Sequence, residues 1–426
     1  MQKMFHSLFS SVHIKPFAVK YPSGDLIHYG PQGEKALFTL IFKTEKAMKA
    51  VLTSVDLGFG EAYMYGEIEI DGKLSDFMEL AMLPGGLEEA ALKNVSRPGF
   101  ILSHLWSILK IVPLQFFQTN TYEQSKEYMA FAYNTGNDFF KLLLDKDMLY
   151  TCAYFKTPED TLDQAQEQKR EHVCRKLMLK PGEHVLDIGC GWGGMLLYAA
   201  KHYGITGMGI TLSKAQQEEA TARAAQAGLQ DKVKFHLMDF RDLPADLRFD
   251  KMVSMGCFEH IGSKHYSQFL FNAKRALKPN GLFLLHFIGN KGPNRPSLFG
   301  RKYLFPGVHT PPLFEAAKPM SEEGFRIHDV ENLRVHYSMT AQGWLDNLHK
   351  HEEVIKKQYG EVFVRIYKLY LNHGVAFCRY QAAELFQVLL SPSVNNEVLP
   401  LTREHLYTSP QLNGRLPKTK TPQLTS

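Results

Sequence analysis

Residues 183–194 read EHVLDIGCGWGG, an apolar run that ends in Asp187 and opens onto a cluster of glycines. The run has the length of a buried strand, and Gly189, Gly191, Gly193 and Gly194 let the backbone turn sharply and approach a ligand closely. The spacing is not GxxxxGK[ST], so a Walker-type phosphate cradle is excluded. Glycine also falls at the fifth position, which GxGxxG does not require. Asp187, set just before the turn, suits a ligand carrying an ammonium group better than a pyrophosphate.

Outward from this loop the chain alternates. MLLYAAKHYG (195–204), SKAQQEEATARAAQAG (213–228) and YSQFLFNAKRAL (266–277) have a helical period, while TGMGITL (206–212), VKFHLMDF (233–240), FDKMVSMGCF (249–258) and NGLFLLHFIG (280–289) read as apolar strands. This order predicts an α/β, doubly wound, largely parallel sheet with ligands at the carboxyl ends of its strands. GCFEHIG (256–262) then stands beside the ligand crevice, which gives Glu259 a reason to be charged where a sheet should be apolar. His260 is read as structural. The glycine loop, in the form hVLDhGCGxGG, resembles that of S-adenosylmethionine (SAM) methyltransferases, and so implies their Rossmann-like fold. Ser213 and Gln216 form a capping box for the next helix. SAM enzymes commonly place an acid near here for the ribose hydroxyls; this chain offers the hydroxyl of Thr211.

Before the sheet, residues 1–90 alternate strand-like runs (KALFTLIF, GEIEIDG) with a helical one (SDFMELAMLP), as a small α+β unit would. Residues 100–117, FILSHLWSILKIVPLQFF, carry His104, Lys110 and Pro113 and read as a packed or interfacial helix rather than a membrane span. Residues 335–390 are mostly helical by pattern, and the last 35, rich in Pro, Ser, Thr and Asn, read as a mobile polar tail. The predicted domains are 1–115, 116–391 and 392–426. With 49 Lys+Arg against 44 Asp+Glu the chain is too mildly basic for a dedicated nucleic-acid binder, but it suits an anionic lipid surface. Cys152, Cys174, Cys190, Cys257 and Cys378 include no CxxC pair, so no zinc site is expected and the cytoplasm is the expected compartment.

Taken in order, GFGEAYMYGEIEIDG (58–72), YNTGNDFF (133–140), MLYTCAYF (148–155), VLDIGCGWGG, GITLSKAQ, GCFEHIG, LLHFIGN (284–290), VHYSMTAQGW (335–344) and LPLTREHLY (399–407) resemble the cyclopropane-fatty-acyl-phospholipid synthase family, in its bacterial phospholipid-acting branch. The resemblance implies methylene transfer from SAM to the cis double bond of an unsaturated phospholipid chain at the inner face of the membrane. It implies a lipid-binding N-terminal domain, and it leaves a homodimer open. It further implies a bound bicarbonate as the base, held by residues matching Cys152, Glu259, His286, Ile288 and Tyr337. For SAM the carry-over gives Tyr133, Tyr150, Thr151, Gly189, Gly191, Gly193, Thr211, Ser213, Gln216, Phe240 and Arg241. Asp187 and Asp239 join them as residues at strand ends facing the same ligand.

Each residue also has a plainer reading. Glu259 could cap a helix, His286 could be a satisfied core histidine, Tyr337 a buried aromatic, and Phe155, Tyr266 and Trp344 ordinary core rather than a lining for a cation. Two departures stand out. Gly374 takes the position of a family cysteine, with Cys378 one helical turn on, and Ala132 and Asn134 replace His and Asp. The alternatives are a methyltransferase that leaves a methyl or methylene branch, a small-molecule N-methyltransferase, and a SAM- or lipid-binding protein without catalysis.

Overall fold

A computed structural model of the chain describes residues 1–95, 120–133, 135–292, 297–392 and 399–407. The amphipathic stretch 100–117, Asn134 and the end of the chain beyond 407 lie outside the described residues, as do the side chains of Ala132 and Tyr133.

The larger sheet has seven strands: β5 (His184–Ile188), β6 (Thr206–Thr211), β7 (Val233–Leu237), β8 (Phe249–Met255), β9 (Leu277–Asn290), β10 (Arg326–Asn332) and β11 (Ala383–Ser391). Their spatial order is β10-β11-β9-β8-β5-β6-β7. The neighbours from β7 to β9 run parallel, and β11 is antiparallel to both β9 and β10. This is the expected Rossmann-like, doubly wound sheet. Its strand order reverses beside β5, where a crevice opens at the carboxyl ends.

Two parts of the chain differ from the pattern. Residues 383–391, read within a helical region, form β11; all but one of them are buried, so the period-two alternation that marks a half-exposed strand is erased. Residues 399–407, read within the polar tail, are anchored to the seven-stranded sheet and its helices. There Leu406 is buried, its carbonyl accepts from Arg175, and Arg403 pairs with Asp329.

The N-terminal unit is a four-stranded sheet, β1 (Phe17–Lys20), β2 (Leu26–Tyr29), β3 (Phe38–Phe42) and β4 (Ile68–Gly72), in the order β2-β1-β3-β4. Phe5, Phe9, Phe17, Phe38 and Phe42 fill its interior, and that interior runs on without a break into Trp344, Leu348 and Tyr367 of the helices Arg334–Lys350 and Glu361–Tyr380. Polar ties reinforce the seam: Arg365 donates to the carbonyls of Tyr63 and Ile68 and pairs with Glu69, while Asp56 accepts from the backbone of Leu298 and Phe299. At Gly60 a Cβ would fall 2.2 Å from the Phe299 ring, so the two units meet too closely for any side chain there.

Candidate active site

The glycine loop works as its sequence suggests. Gly189 (φ +81°) and Gly191 (φ +53°) take conformations that L side chains resist, and both line a cavity at the ends of β5, β6 and β8. Tyr150, Thr151, Asp187, Thr211, Gln216, Asp239, Phe240 and Arg241 line the same cavity. Gly193 and Ser213 do not. Gly193 (φ +81°) is required by packing, since a Cβ would stand 2.6 Å from the Phe235 ring, and Ser213 caps the helix Lys214–Gln226 by accepting from the Gln216 amide. Only that half of the capping box forms. The Gln216 side chain turns instead toward the cavity, where its Oε1 accepts from the Thr211 hydroxyl at 2.8 Å.

Asp187 is buried, and its Oδ1 has no partner. Burial pushes its pKa up to about 7, with the Lys169 ammonium pulling the other way. An orphaned carboxylate oxygen in a glycine-built cradle fits the ammonium end of SAM. Asp239 is committed elsewhere, accepting from the Arg241 amide and from its guanidinium at 2.8 Å. Arg241 in turn lies over the Tyr122 ring, and Asn120 donates to the carbonyls of His260 and Gly307. These contacts close residues 120–125 over the cavity.

Across one wall of this cavity lies a second cluster, assembled from five segments. His286 and Ile288 share a face of β9, because side chains alternate along a strand. Opposite His286 on β11, Gln387 donates its amide N–H to Nδ1 at 3.1 Å. With the Gln387 amide nitrogen turned to it, Nδ1 is the acceptor, an orientation that assigns the ring proton to Nε2. That Nε2 is buried without a partner, and burial, assisted by Lys169 and Lys176, keeps the ring well below its ordinary pKa and neutral. Glu259 is 1 % exposed; Oε1 accepts from the Ile288 amide at 3.4 Å and Oε2 has no partner. Burial raises its pKa to about 7. Cys152, Ile288, Tyr337, Leu333 and Leu385 pack together. The Cys152 thiol donates to the Ala153 carbonyl, and burial holds it far above the usual thiol range, so it is not a nucleophile. Burial pushes Tyr337 well above its usual range, and Glu259 and Cys152 are among its titratable neighbours.

Cys152, Glu259, Ile288 and Tyr337 are therefore brought together, and His286 stands two residues from Ile288 on the same face of β9. A carboxylate acceptor beside N–H and O–H donors is a set that fits a small oxyanion still carrying one proton. Gly256 (φ +68°) is the shared wall, for a Cβ there would lie 3.0 Å from the Thr151 methyl and 4.0 Å from Glu259 Oε1.

Several residues here escaped the sequence reading. His260 is not merely structural: it lines the cavity, and burial lowers its pKa to about 4. Cys257, Met238 and Met255 also line it. Trp344 packs 4.9 Å from the Tyr150 ring and edge-on to Tyr337, whereas Tyr266 stacks on Phe258 and serves the core. Cys378 is buried and counts among the neighbours of Cys152, Tyr337 and Tyr370, so it reaches the cluster from one turn beyond Gly374.

Comparison with known proteins adds to this geometry. Residues 120–388 match the family model described as mycolic acid cyclopropane synthetase, and residues 4–84 match a domain of unknown function. A probable fatty acid methyltransferase of Pseudomonas putida is 33% identical over 93% of this chain and 97% of its own length. The cyclopropane-fatty-acyl-phospholipid synthase of Escherichia coli K12 is 36% identical over 83% of this chain and 88% of its own. Among solved structures, a mycolic acid cyclopropane synthase complexed with SAH and CTAB superposes with a TM-score of 0.59 at 29% identity, covering 62% of this chain and 98% of that one.

Proposed function

The chain belongs to the mycolic acid cyclopropane synthetase family of SAM-dependent methyltransferases, and from that premise we propose that it builds a cyclopropane ring on the cis double bond of an unsaturated phospholipid acyl chain. The alkene π electrons attack the sulfonium methyl of SAM, the C–S bond breaks, and S-adenosylhomocysteine leaves as a neutral thioether. The carbocation so formed loses a proton from the added methyl group, and the electrons of that C–H bond close the ring. The chain gains one CH2.

The observation that carries the reading is a set of three unpartnered polar atoms: Asp187 Oδ1 at the donor cavity, Glu259 Oε2 across Gly256 from Thr151, and His286 Nε2 on β9. Bicarbonate, when bound, supplies the base. Glu259, His286, Tyr337 and the groups at Cys152 and Ile288 are its proposed holders. The apolar packing of Cys152, Leu333 and Leu385 keeps water from the cation, and Trp344 and Tyr150 offer it ring faces. Access to phospholipid implies docking at the membrane surface, with the N-terminal unit as the part that orients the site. No helix among the described residues is long and apolar enough to cross a membrane.

The test is incubation of the purified protein with methyl-labelled SAM and vesicles of unsaturated phospholipid, followed by fragmentation of the acyl chains. A label retained in a ring after hydrogenation is the expected result. A methyl or methylene branch would favour the second reading, toward which the Pseudomonas putida relative points. Absence of label in lipid despite SAM binding would sink both.

A further inference from the structure

Lys169 is fully buried, and its ammonium donates to the Thr151 hydroxyl at 2.6 Å. It does not line the donor cavity; it stands behind Thr151 and Asp187, which do. On the same helix, Leu162–Lys176, Gln166 donates to the carbonyls of Leu149 and Thr151, and Arg170 pairs with Asp147 at 2.7 Å. Those two already hold the 147–151 segment in place. A neutral side chain at 169 could serve Thr151 as well, without the cost of taking an ammonium out of water.

We propose that Lys169 is a positioning residue for the methyl donor: from behind the cavity wall it fixes the Thr151 hydroxyl and sets a positive charge near Asp187, the carboxylate that grips the donor's ammonium group. This rests on the SAM reading above and adds a residue to it. The charged and titratable groups around Lys169 are Asp145 and Cys152 from the loop before its helix, Asp187 from β5 and Arg170 on its own helix; it also acts on His286 of β9. Burial lowers its pKa to about 8, so it is mostly cationic near neutral pH. Asp187 loses its counter-charge when the ammonium is removed and then stays protonated to a higher pH.

The experiment is calorimetric titration of the full chain with S-adenosylhomocysteine and with 5′-methylthioadenosine, which lacks the ammonium and carboxylate end. Wild type, Lys169→Met and Lys169→Arg are compared from about pH 7 to about pH 8.5. Lys169→Met is expected to lose S-adenosylhomocysteine affinity by about tenfold near pH 7, with the gap narrowing as Asp187 ionises. It should bind 5′-methylthioadenosine as wild type does, and Lys169→Arg should keep most of the affinity. Equal losses for both ligands would reduce Lys169 to a fold residue, and wild-type affinity in Lys169→Met would overturn the proposal outright. Failure of the wild type to bind S-adenosylhomocysteine would instead bring down the SAM reading, and this inference with it.

Discussion

Around Gly189 the protein builds with backbone; around Glu259 it builds with side chains. The donor cavity owes its shape to left-handed glycines and helix starts that follow one another along β5 and its loop, so a short peptide sequence states most of it. The base cluster is collected from places such as Cys152 and Leu333, which lie 181 residues apart, and its members are defined by what they lack: a partner for Glu259 Oε2 and for His286 Nε2. A backbone site resists added atoms, and this one leaves a single carboxylate oxygen, Asp187 Oδ1, without a partner. A side-chain site tolerates small changes of shape, yet keeps uncompensated polar groups that weaken the fold until a ligand arrives.

That contrast can be broken or sharpened by measurement. The largest effect is expected from Glu259→Gln, which keeps the volume but removes the charge and turns one acceptor oxygen into an NH2 donor. Turnover should fall by about 1000-fold while S-adenosylhomocysteine affinity stays unchanged. Loss of donor affinity in this variant would mean that the two regions are one site.

Next comes the pH dependence of stability. Glu259 is raised from 4.5 to about 7, so the folded state keeps a proton there that the unfolded state has released. Between those values the unfolded state binds fewer protons, and the wild type therefore loses stability as pH rises. Glu259→Gln has no such slope at this site. The stability of the variant relative to wild type should grow by roughly 2 to 3 kcal/mol from about pH 4.5 to about pH 7, read by urea unfolding without ligands. A pH-independent difference would show that Glu259 is already compensated in the fold.

Smallest is Gly193→Ala, where a methyl group must accept φ +81° and stand 2.6 Å from Phe235. A loss of about 2 kcal/mol in urea unfolding is expected. A neutral result would mean that the loop is less bound by its backbone than its geometry implies.

What the sequence discloses follows the same division. The β5 loop, the alternation of strands and helices, and Asp187 at a strand end are local facts, legible from residue types alone. Glu259 and His286 were legible as misfits, a charge and an imidazole in apolar runs, but their convergence with Cys152 and Tyr337 came from resemblance and not from spacing. Lys169 and Gln166 gave no signal. On an otherwise polar helix a lysine looks solvated, and only tertiary packing reveals that it is sealed beneath Thr151. Residues 383–391 hid for the converse reason, a strand covered on both faces losing the alternation that would identify it. Gln216 was read as half of a cap because its spacing allows that, while the nearby Thr211 hydroxyl competed for its side chain and won.

The unbroken aromatic interior that joins Phe17 and Phe38 to Trp344 and Tyr367 bears on how the molecule comes into being. The seven-stranded sheet has cores of its own, but the N-terminal sheet shares its centre with the late helices, so that early-synthesised sheet has to wait for the last long helix before it is sealed. Nascent chains would meanwhile show sticky rings to the cell, and chaperone demand should be greatest just before residue 380 emerges.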